Sequence, residues 1–172
     1  MVKEKRYILS IDADNCNGCR LCEMVCSLKN TGNTVSPAKS NIRILKRETL
    51  GVDLPIVYKQ CEDPPCKNIC PSNAITVDPK TGSMKVLEER CIGCRECLVA
   101  CPFGAISFDS EKRVCTICNL CDGNPRCVKA CLWGAIKYIR SDTADILAKK
   151  KAMEKIQETT IKAREALKGP FV

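Results

Sequence analysis

Apolar residues in this chain are concentrated in short runs of strand length. The first run, Tyr7-Ile8-Leu9-Ser10-Ile11, has the composition of a strand. Further runs predict short strands at 41–47, 54–58, 75–77, 106–108 and 136–139. Four groups of cysteines lie between and around these runs.

After Ser141 the pattern changes to that of one long helix. Asp142 is the expected N-cap, with Asp145 three residues further on, and Gly169-Pro170 is a stop signal. The predicted helix has about 26 residues and is roughly 39 Å long. It has a modest apolar face, formed by Ile146, Met153, Ile156, Ala163 and Leu167. Such a helix either packs on its own domain as a solvated tail or docks on a partner subunit or a second copy of the chain.

Cysteine is the residue type that distinguishes the composition. The 172 residues include 16 Cys and no His, and aromatic residues make up only 4%. An ordinary apolar core is therefore thin, and bound metal is the expected source of much of the folding free energy. Disulfides are the alternative, but no secretory signal pattern is present and the spacings are those of metal-binding runs. No apolar run approaches the ~20 residues of a membrane span. Without a twin-arginine leader either, we expect a cytoplasmic protein.

Two of the cysteine groups have the spacing of iron–sulfur proteins. Residues 91–102 follow the pattern C-x2-C-x2-C-x3-C-P, by which bacterial-type ferredoxins hold [4Fe–4S] clusters. Residues 16–26 repeat the pattern, with Ser27 in the place of the proline. The fourth cysteine of such a run ligates the other cluster of a pair. The candidate ligands of these runs are Cys16, Cys19, Cys22, Cys26, Cys91, Cys94, Cys97 and Cys101.

The other two groups depart from that spacing. The group Cys61, Cys66 and Cys70 lacks one cysteine, and Tyr58 stands where it is expected. The last group has one cysteine too many, and its members are Cys115, Cys118, Cys121, Cys127 and Cys131. Two registers fit it, one that omits Cys115 and one that omits Cys121. The first is favoured because the gap from Cys121 to Cys127 is short and contains a turn.

An internal repeat connects three of the groups. The segments 70–75, 101–106 and 131–136 each begin with Cys, end with Ala-Ile and lead into a predicted strand, at spacings of 31 and 30 residues. The unit of cluster loop, single helical turn and strand is the ferredoxin half-repeat, present about four times. The Ala-Ile pair is expected to shield a cluster from water, which influences its reduction potential.

The formal charge of +8 suggests nucleic acid as a partner, but the clusters change the sum. An oxidised [4Fe–4S] core with four thiolates carries roughly −2, so four clusters contribute about −8 and leave the protein near neutral. We therefore expect no nucleic-acid binding.

Zinc sites also use C-x2-C pairs, but they do not repeat C-x2-C-x2-C-x3-C-P. A row of clusters indicates electron transport, and the sequence has no His base, no G-x-S-x-G and no dinucleotide fingerprint.

The cysteine groups resemble those of a known family, the four-cluster iron–sulfur subunits of the dimethyl-sulfoxide-reductase iron–sulfur type. The resemblance is carried by residues 61–66, 91–102 and 118–127 and covers about residues 5 to 140. Members of that family serve molybdenum or tungsten oxidoreductases, hydrogenases and carbon monoxide dehydrogenase. The compact size, the short last loop and the lack of a leader are most similar to small cytoplasmic members attached to tungsten-containing aldehyde oxidoreductases.

The resemblance implies an α+β fold of two nested bacterial-ferredoxin-like modules, with short strands and helical turns around the clusters. Residues 1–57 with 115–140 then form the outer module, 58–114 the inner module, and 141–172 a helical extension. It also implies how the cysteines are shared. The outer sets are Cys16, Cys19, Cys22 and Cys131, and Cys26, Cys118, Cys121 and Cys127. The inner sets are Cys70, Cys91, Cys94 and Cys97, and Cys61, Cys66, Cys101 and the group at position 58.

Position 58 is where this chain departs from the family pattern. The cluster there is either [3Fe–4S], or its fourth iron is capped by Tyr58 or solvent, or Cys115 substitutes for the lost cysteine. The expected cofactors are thus four iron–sulfur clusters, of which at least three are [4Fe–4S].

These expectations converge on a non-catalytic subunit that relays electrons. Its expected partners are a catalytic oxidoreductase subunit of the tungsten or molybdenum pterin, aldehyde oxidoreductase type and, at the other end, a ferredoxin or a flavin-containing subunit. The alternatives are the electron conduit of a hydrogenase or carbon monoxide dehydrogenase complex and, in a different class, a structural zinc scaffold. Self-assembly through the terminal helix is a further expectation.

Overall fold

The structure, a computed structural model, describes residues 6–167. The expected stop signal Gly169-Pro170 lies outside the described residues, as do the first five and last five residues of the expected domains. The strands are β1 Tyr7–Ile11, β2 Ile42–Arg47, β3 Val52–Val57, β4 Ile75–Val77, β5 Met84–Val86, β6 Ser107–Asp109, β7 Val114–Thr116 and β8 Ile136–Arg140. The helices are α1 Leu21–Thr31, α2 Pro65–Asn68, α3 Glu96–Ala100, α4 Arg126–Ala130 and α5 Ser141–Leu167.

The described strands form four antiparallel sheets of two strands each. Three sheets are local hairpins, in which β2 pairs with β3, β4 with β5 and β6 with β7. In the fourth, β1 pairs with β8, so that Tyr7 lies opposite Arg140 and Ile11 opposite Ile136. The chain from residue 12 to 135 is therefore enclosed between two paired strands. The mixture of short strands and helices expected from the sequence is confirmed.

Each of the two complete cysteine runs leads into a helix, α1 or α3, and these helices differ in length. The residue after the last cysteine of each run explains the difference. Helix α3 ends at Ala100 because Pro102 disfavours the helical conformation at Cys101, whose ψ of 111° is extended. Ser27 stands at the corresponding place after Cys26, and α1 continues to Thr31. The Ser27 hydroxyl donates to the Thr34 carbonyl at 2.8 Å. The length of α1 was not expected from the sequence.

The buried side chains form two small clusters that both contain cysteines. The inner cluster surrounds Tyr58 and Ile75 and includes Cys66, Cys97 and Cys115. The outer cluster surrounds Leu9 and Leu120 and includes Cys22 and Cys127. Cys118 packs against both clusters. The apolar interior is thus divided into two parts that meet at a cysteine.

A few polar side chains connect the two halves of the molecule. Gln60, which is 1% exposed, donates to the Cys118 carbonyl at 2.6 Å and accepts from the Met84 N–H at 2.7 Å. Lys39 forms ion pairs with Asp109 at 3.0 Å and with Glu111 at 2.8 Å. Because Gln60 is satisfied on both sides, it stabilises the contact between the halves rather than leaving an unpaired buried amide.

Helix α5 begins one residue before the expected N-cap Asp142, directly after β8, and runs back along β1 and β8. Lys151 pairs with Asp12 and, at 2.8 Å, with Asp14, beside the first cysteine run. Beyond this contact the side chains of α5 are exposed up to residue 165. No helix of residues 6–167 is long and apolar enough to cross a membrane.

Candidate metal centres

All sixteen cysteines are free thiols, and the fold gathers fifteen of them into four sets. The first set lines one cavity and comprises Cys16, Cys19, Cys22 and Cys131, with Trp133 and Pro55 in the same wall. Burial raises the pKa of the Cys22 thiol to about 12. Cys16 and Cys19 lie on the loop that leads into α1, Cys22 lies in its first turn, and Cys131 follows α4, so long-range packing completes the set.

The second set lines another cavity in the corresponding manner. It comprises Cys91 and Cys94 from the loop before α3, Cys97 from the start of α3 and Cys70 from the end of the preceding group, and Cys115 lines the same cavity. The Cys70 sulfur accepts from the Ala74 N–H at 3.3 Å, within the segment that ends in Ala-Ile. Ala74 and Ile75 also line the cavity, as expected from the repeat.

The third set comprises Cys26, Cys118, Cys121 and Cys127. Burial, followed by the nearby thiolate charges of Cys118, Cys26 and Cys121, raises the pKa of the Cys127 thiol. The Cys26 sulfur also accepts from the Asn41 N–H at 3.3 Å. The structure therefore brings Cys118, Cys121 and Cys127 together, whereas Cys131 faces the first set.

The fourth set has three cysteines and a phenol. The Tyr58 hydroxyl lies 3.1 Å from the Cys66 sulfur, and Tyr58 is 2% exposed. Burial, then this hydrogen bond, then the nearby charges of Cys66, Cys61 and Cys101 raise the pKa of Tyr58. A phenol with a raised pKa keeps its proton, so Tyr58 is suited to donate a hydrogen bond to a thiolate.

Cys115 is the remaining cysteine, and its neighbours belong to the second set. Its backbone N–H donates to the Cys91 sulfur at 3.4 Å. Its thiol is 3% exposed, and Cys115 lines the cavity of the second set together with Cys91 and Cys97. The nearby thiolates around Tyr58 are instead Cys66, Cys61 and Cys101.

The four sets fit iron–sulfur clusters in donor type and in spacing. Within residues 6–167 no three Cys, Asp or Glu side chains converge closely enough to hold a single metal ion. An iron–sulfur core is larger than one ion and binds a thiolate at each iron, so its ligands stand further apart. Backbone N–H groups that point at Cys26, Cys70 and Cys91 supply the hydrogen bonds that thiolate ligands accept.

Two glycines bring other parts of the chain close to the cysteine loops. Gly18 and Gly93 have φ of 67° and 71°, in the left-handed region. A Cβ on Gly93 would lie 2.6 Å from the Arg113 carbonyl oxygen, and one on Gly18 would lie 2.5 Å from the Asp53 carboxylate. Asp53 and Arg113 are distant in sequence from the glycines, and no motif marked them. Their position next to the loops depends on the hairpins β2–β3 and β6–β7.

We expect a Gly93→Ala variant to lose cluster iron and to unfold at lower temperature than the wild type. The left-handed backbone costs a non-glycine residue roughly 1–2 kcal/mol, and the Arg113 backbone cannot move aside cheaply. Iron per protein and the thermal unfolding midpoint, both measured under anoxia, check this. Gly104→Ala is the matched control, because its φ is 57° and nothing lies within 4 Å of its Cβ position. Equal losses in both variants would contradict the close approach of Arg113.

Residues 53–141 match the protein family described as "4Fe-4S dicluster domain". The chain is 45% identical over 130 residues to the aliphatic sulfonate oxidoreductase, polyferredoxin-like subunit, of Pyrococcus furiosus, covering 76% of this chain and 73% of that protein. It is 34% identical over 148 residues to the electron transport protein HydN of Escherichia coli, covering 73% and 83%. It is 31% identical over 163 residues to an iron–sulfur protein of Rhodospirillum rubrum, covering 81% and 85%.

Proposed function

The chain belongs to the 4Fe-4S dicluster domain family, and from this membership we propose that it is a non-catalytic, electron-transferring subunit of an oxidoreductase complex. It relays electrons between a catalytic subunit and a second redox partner. The 4Fe-4S, ferredoxin-like and electron-transport character expected from the sequence is confirmed by the family and by relatives such as HydN.

The observation that carries the proposal is the continuity of the four cysteine sets. Cys22 of the first set and Cys127 of the third set are buried in the same apolar cluster. In the same way Cys66 of the fourth set and Cys97 of the second set are buried together in the inner cluster. Cys118 packs against both apolar clusters and so lies at the junction of the two pairs. Neighbouring centres of this kind form a path for electrons.

We propose that the two pairs of sets correspond to two nested modules. The outer module comprises residues 1–57 with 115–140, and the pairing of β1 with β8 supports it by joining the ends of this unit. The inner module comprises residues 58–114 and contains β4, β5 and β6 with α2 and α3. Residues 141–172 form the helical extension. Each module then holds two clusters, one in each of its cysteine sets.

Each set is proposed to ligate one cluster, and the first three sets hold [4Fe–4S]. The set around Tyr58 has three thiolates, and Tyr58 is placed to donate a hydrogen bond to Cys66 instead of binding iron. An iron that has no protein ligand is the one that a cubane would lose on oxidation. We therefore propose that the cluster held by Cys61, Cys66 and Cys101 is [3Fe–4S] in the oxidised protein.

The proposed catalytic partner is a tungsten or molybdenum pterin enzyme of the aldehyde oxidoreductase type, and the second partner is a ferredoxin or a flavin-containing subunit. The Pyrococcus furiosus relative is named as a subunit of an aliphatic sulfonate oxidoreductase, which supports a catalytic partner for this chain. We place the protein in the cytoplasm, because free thiols that bind metal persist in reducing compartments.

The relay is tested with the full chain purified under anoxia. We expect brown protein that contains iron and inorganic sulfide and that bleaches on reduction. Mixing it with the co-purifying catalytic subunit and that subunit's substrate should bleach it as well, and substrate alone should not. Colourless, zinc-containing protein would overturn the proposal in favour of a structural scaffold.

We propose that the exposed part of α5 docks on the catalytic subunit. Lys151 pairs with Asp14, two residues before Cys16, so residues 152–167 extend about 24 Å past the first cysteine set. Ile156 and Ile161 on this part are 66% and 54% exposed. A subunit that contacts Ile156 and Ile161 therefore also approaches the first cysteine set.

Removal of the residues after Ala152 is expected to leave the iron content unchanged and to abolish association with the catalytic subunit in a pull-down. Leu50→Ser, which changes an apolar side chain that is 66% exposed next to β3, is the control and should still associate. If the truncation instead changes the size of the isolated chain in gel filtration, α5 serves self-assembly. Undiminished association would contradict a docking role.

A further inference from the structure

The hairpins β2–β3 and β6–β7 present nearly the same frame to the first and second cysteine sets. Gly18 and Gly93 occupy the same place in the two runs, with nearly equal φ. Asp53 of β3 faces Gly18, and Arg113, directly before β7, faces Gly93. Two residues further along each strand, the chain reaches the wall of the cysteine cavity.

At that position the two hairpins differ. Pro55 lines the cavity of the first set, and Cys115 lines the cavity of the second. Proline has no backbone N–H, so Pro55 donates nothing to a sulfur. Cys115 donates its N–H to the Cys91 sulfur at 3.4 Å, and its buried side chain lines the same cavity as Cys91 and Cys97. The second set therefore receives donors that the first set lacks.

The Cys115 thiol is free for this task because the second set is already complete. Besides Cys115, its cavity is lined by the four cysteines Cys70, Cys91, Cys94 and Cys97, which is one for each iron of a cubane. A thiol ordinarily holds its proton at neutral pH, and Cys115 is 3% exposed, so its proton points to protein and not to water. The available acceptors are the thiolates of the same cavity.

We propose that Cys115 is a hydrogen-bond donor to this cluster and not an iron ligand, and that it raises the reduction potential of the cluster at Cys70, Cys91, Cys94 and Cys97 above that of the cluster at Cys16, Cys19, Cys22 and Cys131. The inference rests on the proposed ligand sets. Reduction adds negative charge to the core and its sulfurs, and donors stabilise that charge. An electron that enters at the first set is thereby drawn towards the inner module.

Redox titration of the full chain, followed by EPR under anoxia, tests the inference. In Cys115→Ala we expect one cluster midpoint to fall while iron per protein is unchanged. In Cys115→Ser the hydroxyl still donates, so the midpoint should stay closer to the wild type. Pro55→Ala is the matched variant in the outer module, where the new N–H should raise the midpoint of a different cluster.

Two outcomes would overturn the inference. Loss of iron in both Cys115 variants would make Cys115 a ligand, as in its substitution for the cysteine missing at Tyr58. Unchanged midpoints with full iron would show that its hydrogen bonds do not influence the potential. Wild-type protein without any iron–sulfur signal would instead refute the proposed function, and this inference with it.

Discussion

Removal of iron by a chelator under reducing conditions is expected to unfold residues 6–140 almost completely. The described sheets have two strands each, and an isolated two-stranded sheet is marginally stable in water. The two apolar clusters are small and have Cys22, Cys66, Cys97 and Cys127 among their buried members. Bound clusters therefore supply free energy of folding that side-chain packing does not.

Far-UV circular dichroism, recorded as iron is withdrawn, measures this effect. The loss of strand signal should follow the loss of iron, and reconstitution with iron and sulfide should restore both. The signal of α5, which is one 27-residue helix, is a separate contribution, and the chain truncated after Ala152 allows us to subtract the part from residues 153–167. Iron-free protein that keeps its spectrum and its thermal transition would contradict a fold held together by clusters.

Release of the clusters is also expected to consume protons. A cysteine thiol in an unfolded chain has a pKa of about 8.5, so the released ligands are protonated at neutral pH, whereas they are thiolates when they bind iron. Assembly of the clusters therefore releases protons.

The second large effect is expected at Tyr58. Oxidised wild-type protein should show the EPR signal of a [3Fe–4S] cluster, because three thiolates and a protonated phenol surround that site. A Tyr58→Cys variant supplies the missing thiolate, so that signal should disappear while iron per protein rises by one. The measurements are EPR of the oxidised protein and iron analysis of the same sample.

Tyr58→Phe is the matched control, since it keeps the ring and removes only the hydroxyl that lies 3.1 Å from the Cys66 sulfur. It should keep the [3Fe–4S] signal and lose about 0.5–1.5 kcal/mol of stability with the hydrogen bond. An oxidised wild type without that signal, together with iron loss in Tyr58→Phe, would make Tyr58 a ligand.

Local pattern was sufficient for much of the secondary structure. The predicted strands at 7–11 and 75–77 coincide with β1 and β4, and the predicted terminal helix coincides with α5 to within a few residues. The length of α1 and the strands β5 and β7 were not predicted. Helix α1 continues because Ser27 stands in the place of the proline that ends the helix of the other run.

The sequence by itself determined the kind of chemistry. Cysteines separated by only two residues, such as Cys91, Cys94 and Cys97, stay close together in any fold, so they are placed to bind one shared cluster. The cysteine spacing did not decide which distant residue completes each group. The tertiary structure places Cys131 with Cys16, as the family resemblance implies, and places Cys115 beside Cys91. The physical reason is the sequence separation of the residues. Backbone geometry alone positions cysteines that are neighbours in one loop. Contacts between residues far apart in sequence depend on the pairing of β1 with β8 and on the packing of both apolar clusters against Cys118.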